Sequence, residues 1–252
     1  MAEKIVQSKD RFSLLAIWGF LLAVAAGLAA VTAGVGSYWG WWTFRTGFVI
    51  LRWAAYGGIL ALVISLAGCL LTRPGVARSG FIWSVFGLLI ALLTVIIPWS
   101  HWRLAQSVPP IHDITTDTEN PPGFVVLLPL RKDAPNTADY GGREVAAKQR
   151  TAYPELVPLV LPLPPDQVFI RALKQARSLG WEIVAADPTG GRIEATDTTF
   201  WFRFKDDIVI RIKLADGGSR LDIRSVSRVG KGDLGTNARR IRKFIRALKK
   251  EI

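Results

Sequence analysis

The densest polar stretch of this 252-residue chain is Arg220 to Ile241, reading Arg-Leu-Asp-Ile-Arg-Ser-Val-Ser-Arg-Val-Gly-Lys-Gly-Asp-Leu-Gly-Thr-Asn-Ala-Arg-Arg-Ile. Gly230, Gly232 and Gly235 lie between a strand pattern and a helix pattern. Such a loop aims backbone N–H groups and a helix N-terminus at an anion. Arg224, Arg228 and Lys231 add positive charge, and Ser227, Asp233 and Asn237 complete a candidate ligand or anion site. The same residues also read as a structural joint. In that reading Asp233 or Thr236 caps the helix, Asn237 ties the loop, and Arg228 pairs with Asp206 or Asp207. The spacing and Lys-Ser/Thr of a Walker A loop are absent.

A second group is His112, Asp113, Asp117 and Glu119. Imidazole and carboxylate together suit divalent metals. There is no HExxH, however, the only other histidine is His101, and the single cysteine, Cys69, lies in an apolar run. The plainer reading of His112, Asp113 and Asp117 is a polar turn whose Asp and Thr side chains bond the backbone. Ser225 or Ser227 with His112 as base would suit hydrolysis, but nothing resembles a nucleophile elbow. No catalytic residue, metal ligand or cofactor is assigned. The enzyme alternative requires loop 224–237 and the His112/Asp113 segment to converge in one pocket.

Seven cations and no acid lie between Arg239 and Lys250. Arg239, Arg242, Lys243, Arg246, Lys249 and Lys250 are expected opposite the apolar stripe of Ile241, Phe244, Ile245 and Leu248. That face is either simply solvated or a contact for anionic lipid.

The elements that would position these groups fill the C-terminal half. Eleven of the 14 prolines fall between Leu104 and Pro165, which rules out a regular helix there. An extended wrap is expected, with residues 125–130 and 156–161 pressed against the domain. Pro164-Pro165-Asp166 starts a helix, Phe169, Ala172, Leu173 and Ala176 carry its apolar face, and Gly180 stops it. Trp181, Ile183 and Ala185 alternate as a strand, and Ile193 and Ala195 as the next. Phe200, Phe202 and Phe204 fall out of phase, which predicts a bulge or break near Thr198. Ile208 to Leu214 and Leu221 to Ser225 flank a hairpin turn at Asp216-Gly217-Gly218. The order strand, helix, four strands, helix predicts an α+β domain: an antiparallel sheet with helices on one face.

Several of these motifs carry a resemblance. Phe204-Lys205-Asp206-Asp207, Arg224-Ser225-Val226-Ser227-Arg228-Val229-Gly230, Asp233-Leu234-Gly235-Thr236-Asn237 and Arg240-Ile241 look like the domain of unknown function 1499 family. The likeness extends to Gly180-Trp181-Glu182 and Ile111-His112-Asp113-Ile114-Thr115-Thr116-Asp117, and spans roughly residues 108–250. It implies a shared fold and a bacterial envelope setting, with membrane spans often preceding the domain. It implies no activity.

The N-terminal part differs in kind. The net charge is +12, yet residues 1–110 hold only 8 basic and 2 acidic residues, against 24 and 18 in the remainder. Apolar runs at about 12–36, 48–71 and 80–98 are long enough for three transmembrane helices. The first is too long for a signal-peptide core. No Asp or Glu lies in any span, which argues against a pump. Small residues four apart, Ala26, Ala30 and Gly34, then Gly57, Ala61 and Ser65, permit close helix packing. The aromatic run Tyr38 to Phe44 suits a membrane interface.

Lys4, Lys9, Arg11, Arg73 and Arg78 outweigh Arg45 and Arg52, which predicts a cytoplasmic N-terminus. The expected organisation is a transmembrane region at 1–103 and an extracytoplasmic, periplasmic domain at 104–252 of a multi-pass inner-membrane protein. The expected role is binding, of a lipid, apolar or anionic ligand or of a partner protein in the envelope; the alternatives are the envelope enzyme above and a purely structural scaffold of a membrane complex. Expected partners are membrane lipids, another envelope protein or a second copy, and not nucleic acid.

Overall fold

The computed structural model describes residues 11–76 and 78–251. Lys4 and Lys9, used above for topology, lie outside the described residues. The chain divides into two units, Met1–Arg103 and Leu104–Ile252.

The first unit is built on α1 (Leu14–Tyr38), α2 (Phe44–Leu71) and α3, which starts at Phe81 and runs to Ser107. Two-residue strands β1 (Arg11–Phe12) and β2 (Arg78–Ser79) pair in parallel. The three helices are long and apolar enough to cross a membrane. Their buried positions are small: Ala23, Ala61 and Ala91 meet at the centre. Large side chains such as Trp18, Leu60 and Leu93 point outward. That inversion of the water-soluble pattern is the one expected of helices in lipid, where close backbone approach and not burial of bulk drives packing. Gly57 faces Ala26, whereas Gly58 faces α3: a Cβ on Gly58 would lie 3.0 Å from Val95 and 3.2 Å from Thr94. The small-residue stripe of α2 is therefore double. Trp42 folds back on α1 and donates its indole N–H to the Ala33 carbonyl at 3.0 Å.

The third span does not end at Pro98. The helix continues to Ser107, with Ser100 Oγ and His101 Nδ1 turned back to the Ile97 carbonyl at 2.8 and 2.9 Å. Pro98 has no N–H to offer the Thr94 carbonyl, so the helix passes through it with one backbone bond forgone.

The second unit contains β3 (Asp113–Thr115), α4 (Gly142–Ala152), β4 (Leu159–Leu161), α5 (Pro165–Ser178), β5 (Glu182–Asp187), β6 (Arg192–Thr198), β7 (Lys205–Ala215), β8 (Gly218–Ser227) and α6 (Thr236–Lys249). The sheet order is β3-β8-β7-β6-β5, with β4 also on the outer edge of β8. All of its pairings are antiparallel. The expected run of strand, helix, four strands, helix is β4 to α6; β3 and α4 precede it. Helix α4 corrects the expectation of a helix-free extended wrap from Leu104 to Pro165: it occupies the proline-free stretch between Pro135 and Pro154.

Alternation divides the sheet into two faces. On one face Ile114, Ile193, Ile208, Ile210, Leu221 and Ile223 form the main core with Phe169 and Ala172 of α5 and Ile241, Phe244 and Leu248 of α6. Trp181 stacks on Phe244 with ring centres 5.4 Å apart. The other face is charged and lies under the proline-rich segment, which contributes Phe124 and Leu127 against Val209 and Val226. Of the apolar run 125–130 only Leu127 is buried; Val125, Val126, Leu128 and Leu130 point away. The segment is irregular and ends in a single 3-10 turn at Pro129–Arg131, so hydrophobicity alone could not indicate which residue faces inward. In the other expected wrap segment, Leu156, Leu159 and Leu161 are buried.

The phase slip after Ala195 is a break. β6 ends at Thr198, and Thr199 and Phe204 close a loop through Thr199 N–H to the Phe204 carbonyl and Phe204 N–H to Thr199 Oγ1, both 2.8 Å. A separate bulge lies in β5 between Ile183 and Ala185.

Candidate functional site

Loop 224–237 and the His112–Asp117 segment meet at one end of the sheet. What they build is a bonded joint. Asn237 is fully buried. Its Oδ1 accepts from Ser225 Oγ at 2.6 Å and from Arg240 Nη1 at 2.5 Å. Its Nδ2 donates to the His112 carbonyl and to Ser227 Oγ, both at 2.9 Å. Asp233 accepts the Gly235 and Asn237 N–H groups at 2.8 and 2.7 Å, capping α6 from outside the helix. Burial pushes the Asp233 carboxyl above its ordinary value, against those two N–H donors. His112 contributes mainly its backbone; its ring Nδ1 lies 3.3 Å from the Lys231 carbonyl. Lys231 itself is exposed.

The arginines of the candidate anion site are committed to carboxylates. Arg224 makes a two-pronged pair with Asp113 at 2.9 and 2.7 Å and also reaches the Pro122 and Ala138 carbonyls. Its guanidinium lies 5.5 Å from the Phe124 and Tyr140 ring centres. Burial, then the Asp113 charge, push the Tyr140 hydroxyl up to about 12. Arg228 grips Asp207 at 2.8 and 2.9 Å, while Arg240 takes Asp206 at 2.6 Å and Asp197 at 2.8 Å. Asp207 also accepts from Arg131 at 2.5 Å and Thr196 at 2.7 Å. Burial alone would raise the Asp207 carboxyl; the hydrogen bonds from Arg228, Thr196 and Arg131 and the Arg228 charge hold it below its ordinary value.

Several of these partners carried no sequence signal. Glu194, fully buried, accepts the Val125 and Leu127 N–H groups, each at 2.8 Å, and so holds the proline-rich cover to the sheet. Gln149 of α4 imitates a neighbouring strand: Thr115 N–H donates to its Oε1 at 3.0 Å, and its Nε2 donates back to the Thr115 carbonyl at 2.5 Å. Among the described residues no group of three or more His, Cys, Asp or Glu is placed to hold a metal.

The open site lies elsewhere, beside the β7–β8 hairpin. It is a cleft of 690 Å³, within the range of small-ligand sites. One wall is Tyr153, Pro154, Leu156, Val157 and Pro158; the floor carries Arg211, Lys213, Arg220, Asp117 and Asp222, with Arg150 and Glu119 at the rim. Arg211 and Arg220 both bridge Asp117 and Asp222, with contacts of 2.7 to 3.2 Å. Arg150 pairs with Glu119 at 2.7 Å. Four cations therefore face three carboxylates, and Lys213 supplies the surplus charge. Of the possible metal ligands singled out from sequence, Asp117 and Glu119 lie here and His112 and Asp113 do not. The signal that was available is the alternation of Arg211, Lys213, Arg220 and Asp222 on the non-core face of two paired strands.

On α6, Arg239, Lys243, Arg246, Lys249 and Lys250 are exposed and Arg242 is half-buried, pairing with Glu155. Burial raises the Tyr153 hydroxyl above its ordinary value, with the Asp233 charge adding to it. Arg239 turns back to the Leu234 carbonyl and Thr236 Oγ1.

A family model described as "Protein of unknown function (DUF1499)" matches residues 113–248, more than half of the chain, and the chain belongs to that family. No curated protein matches it.

Proposed function

We propose that this DUF1499 protein is a membrane-tethered binding protein whose soluble domain takes up an amphipathic anion, such as a fatty acid or lysophospholipid, in the cleft beside the β7–β8 hairpin. One observation carries this reading: the cleft pairs an apolar wall, Tyr153 to Pro158, with a cationic floor on which Arg211 and Arg220 are paired to Asp117 and Asp222, while Lys213 forms no ion pair among the described residues. An acyl chain suits the wall, and a carboxylate or phosphate suits Lys213 with the half-exposed Arg220. The residues considered for catalysis, by contrast, are occupied in holding the fold together. Charge balance in the loops supports a cytoplasmic N-terminus and an extracytoplasmic domain in a bacterial inner membrane.

Native mass spectrometry of the full chain released from detergent tests the binding. Wild type carries a lipid-mass adduct, and Lys213→Glu, which reverses the only surplus charge, loses most of it. Equal adducts on both proteins, or none on wild type with added lysophosphatidylglycerol, sink the idea.

A further inference from the structure

We infer that the loop Thr199-Phe200-Trp201-Phe202-Arg203-Phe204 is a bilayer-docking element, inserting its aromatic tip into the membrane interface. This goes beyond the ligand cleft and does not depend on it.

The loop is an unusual product of an antiparallel hairpin. Its ends are closed by the two Thr199–Phe204 bonds, and Arg203 bends it through a backbone angle of +55°. Phe202 stacks on Phe204 with centres 5.5 Å apart, and Trp201 lies 5.4 Å from Phe202. Phe200 at the tip is 94% exposed, more than any other large apolar residue of the described chain. A phenylalanine presented in this way, beside a tryptophan and an arginine, has the composition of an interfacial anchor. Arginine suits such a position because its stem can cover apolar surface while its head stays among polar groups.

Register shows where this tip lies on the domain. Asp113 of β3 pairs with Val226, Val226 with Asp207, and Asp207 with Thr196. The C-terminal end of β6, from which the loop extends, is thus at the same end of the sheet as Asp113, at three strand spacings, roughly 14 Å. Asp113 is where the chain enters the sheet, and only residues 108–112 separate it from α3, the third helix able to span a membrane. The covalent tether and the aromatic tip therefore share one end of the domain. Arg240 of α6 pairs with Asp197 just before the loop, so exposed Arg239 and Lys243 belong to that end too, and their charge complements anionic headgroups. The far end of the same sheet, at the β7–β8 turn, has one exposed leucine, Leu214, and serves as an internal control.

The test uses the full chain in nanodiscs of phosphatidylcholine and phosphatidylglycerol, in a Cys69→Ala background. An environment-sensitive fluorophore is attached at Phe200→Cys or, separately, at Leu214→Cys. The expected result at position 200 is a blue-shifted emission, loss of iodide quenching, and quenching by nitroxide on the lipid chains; position 214 stays iodide-accessible and blind to lipid nitroxide. Equal iodide access at both positions overturns the inference. So does a position-200 probe shielded from iodide but untouched by lipid nitroxide, since that pattern means a protein contact.

Discussion

Arg224 and Asp113 close a two-pronged ion pair at 2.9 and 2.7 Å across 111 residues of chain. Both side chains are almost wholly buried. The pair fastens the first strand after the membrane region to the last strand of the sheet, beneath Phe124 and Tyr140.

Asp113→Ala leaves the Arg224 charge buried without its partner. A loss of about 3–5 kcal/mol is expected for breaking a buried pair from one side, read as a lowered unfolding transition of the full chain in detergent. Asp113→Leu with Arg224→Met together should recover much of that loss. A single variant as stable as wild type would show the pair to be dispensable.

Asp207 gathers Arg131, Arg228 and Thr196. Its folded carboxyl lies below the ordinary value of 3.8, so its contribution is complete above that pH and is lost as pH falls through the lower folded value. Asp207→Asn should flatten the acid limb of the stability–pH curve while lowering stability at neutral pH. Asp233 runs the other way: its carboxyl is raised, so its contribution diminishes as pH rises through the window just above 3.8. An unchanged acid limb in Asp207→Asn would count against the hub.

Asn237 and His112 separate a structural joint from a catalytic site. Asn237→Ala strands buried donors and acceptors on Ser225, Ser227, Arg240 and the His112 carbonyl, and a loss of about 3 kcal/mol or more is expected from unsatisfied buried groups. His112→Ala removes only a half-exposed ring, and stability should move by no more than about 0.5 kcal/mol. Chemical denaturation of both variants checks this. A large effect of the histidine ring would reopen a role for that side chain.

The proposed topology is tested with single cysteines at Ser37, Ser79 and Ser107 in a Cys69→Ala background, exposed to an impermeant thiol reagent on intact cells. Ser37→Cys and Ser107→Cys should label and Ser79→Cys should not. Labelling at position 79 alone reverses the orientation.

The sequence by itself determined the parts that depend on local periodicity. Apolar runs with no acids between Phe12 and Pro98 read as three long helices, each long and apolar enough to cross a membrane, and α1, α2 and α3 stand there. The alternation from Ile208 to Leu214, the hairpin at Asp216-Gly217, and the Ile241/Phe244/Leu248 stripe dictated β7, β8 and α6 with their buried faces. Even the broken phase near Thr198 was written there. Tertiary structure decided which charges meet. Arg228 had two adjacent carboxylates to choose from, and the pleat settled it: Asp207 lies on the face of Arg228's contacts, while Asp206 points to Arg240 on the opposite face. Leu127 among five apolar neighbours, Glu194 holding the cover, and Gln149 standing in for a strand have no periodic signature, because their partners lie 34 to 69 residues away. The cleft was hidden for the same reason. Its wall comes from the turn after α4 and its floor from β7 and β8, and only the folded sheet brings an apolar segment and a row of arginines to opposite sides of one space.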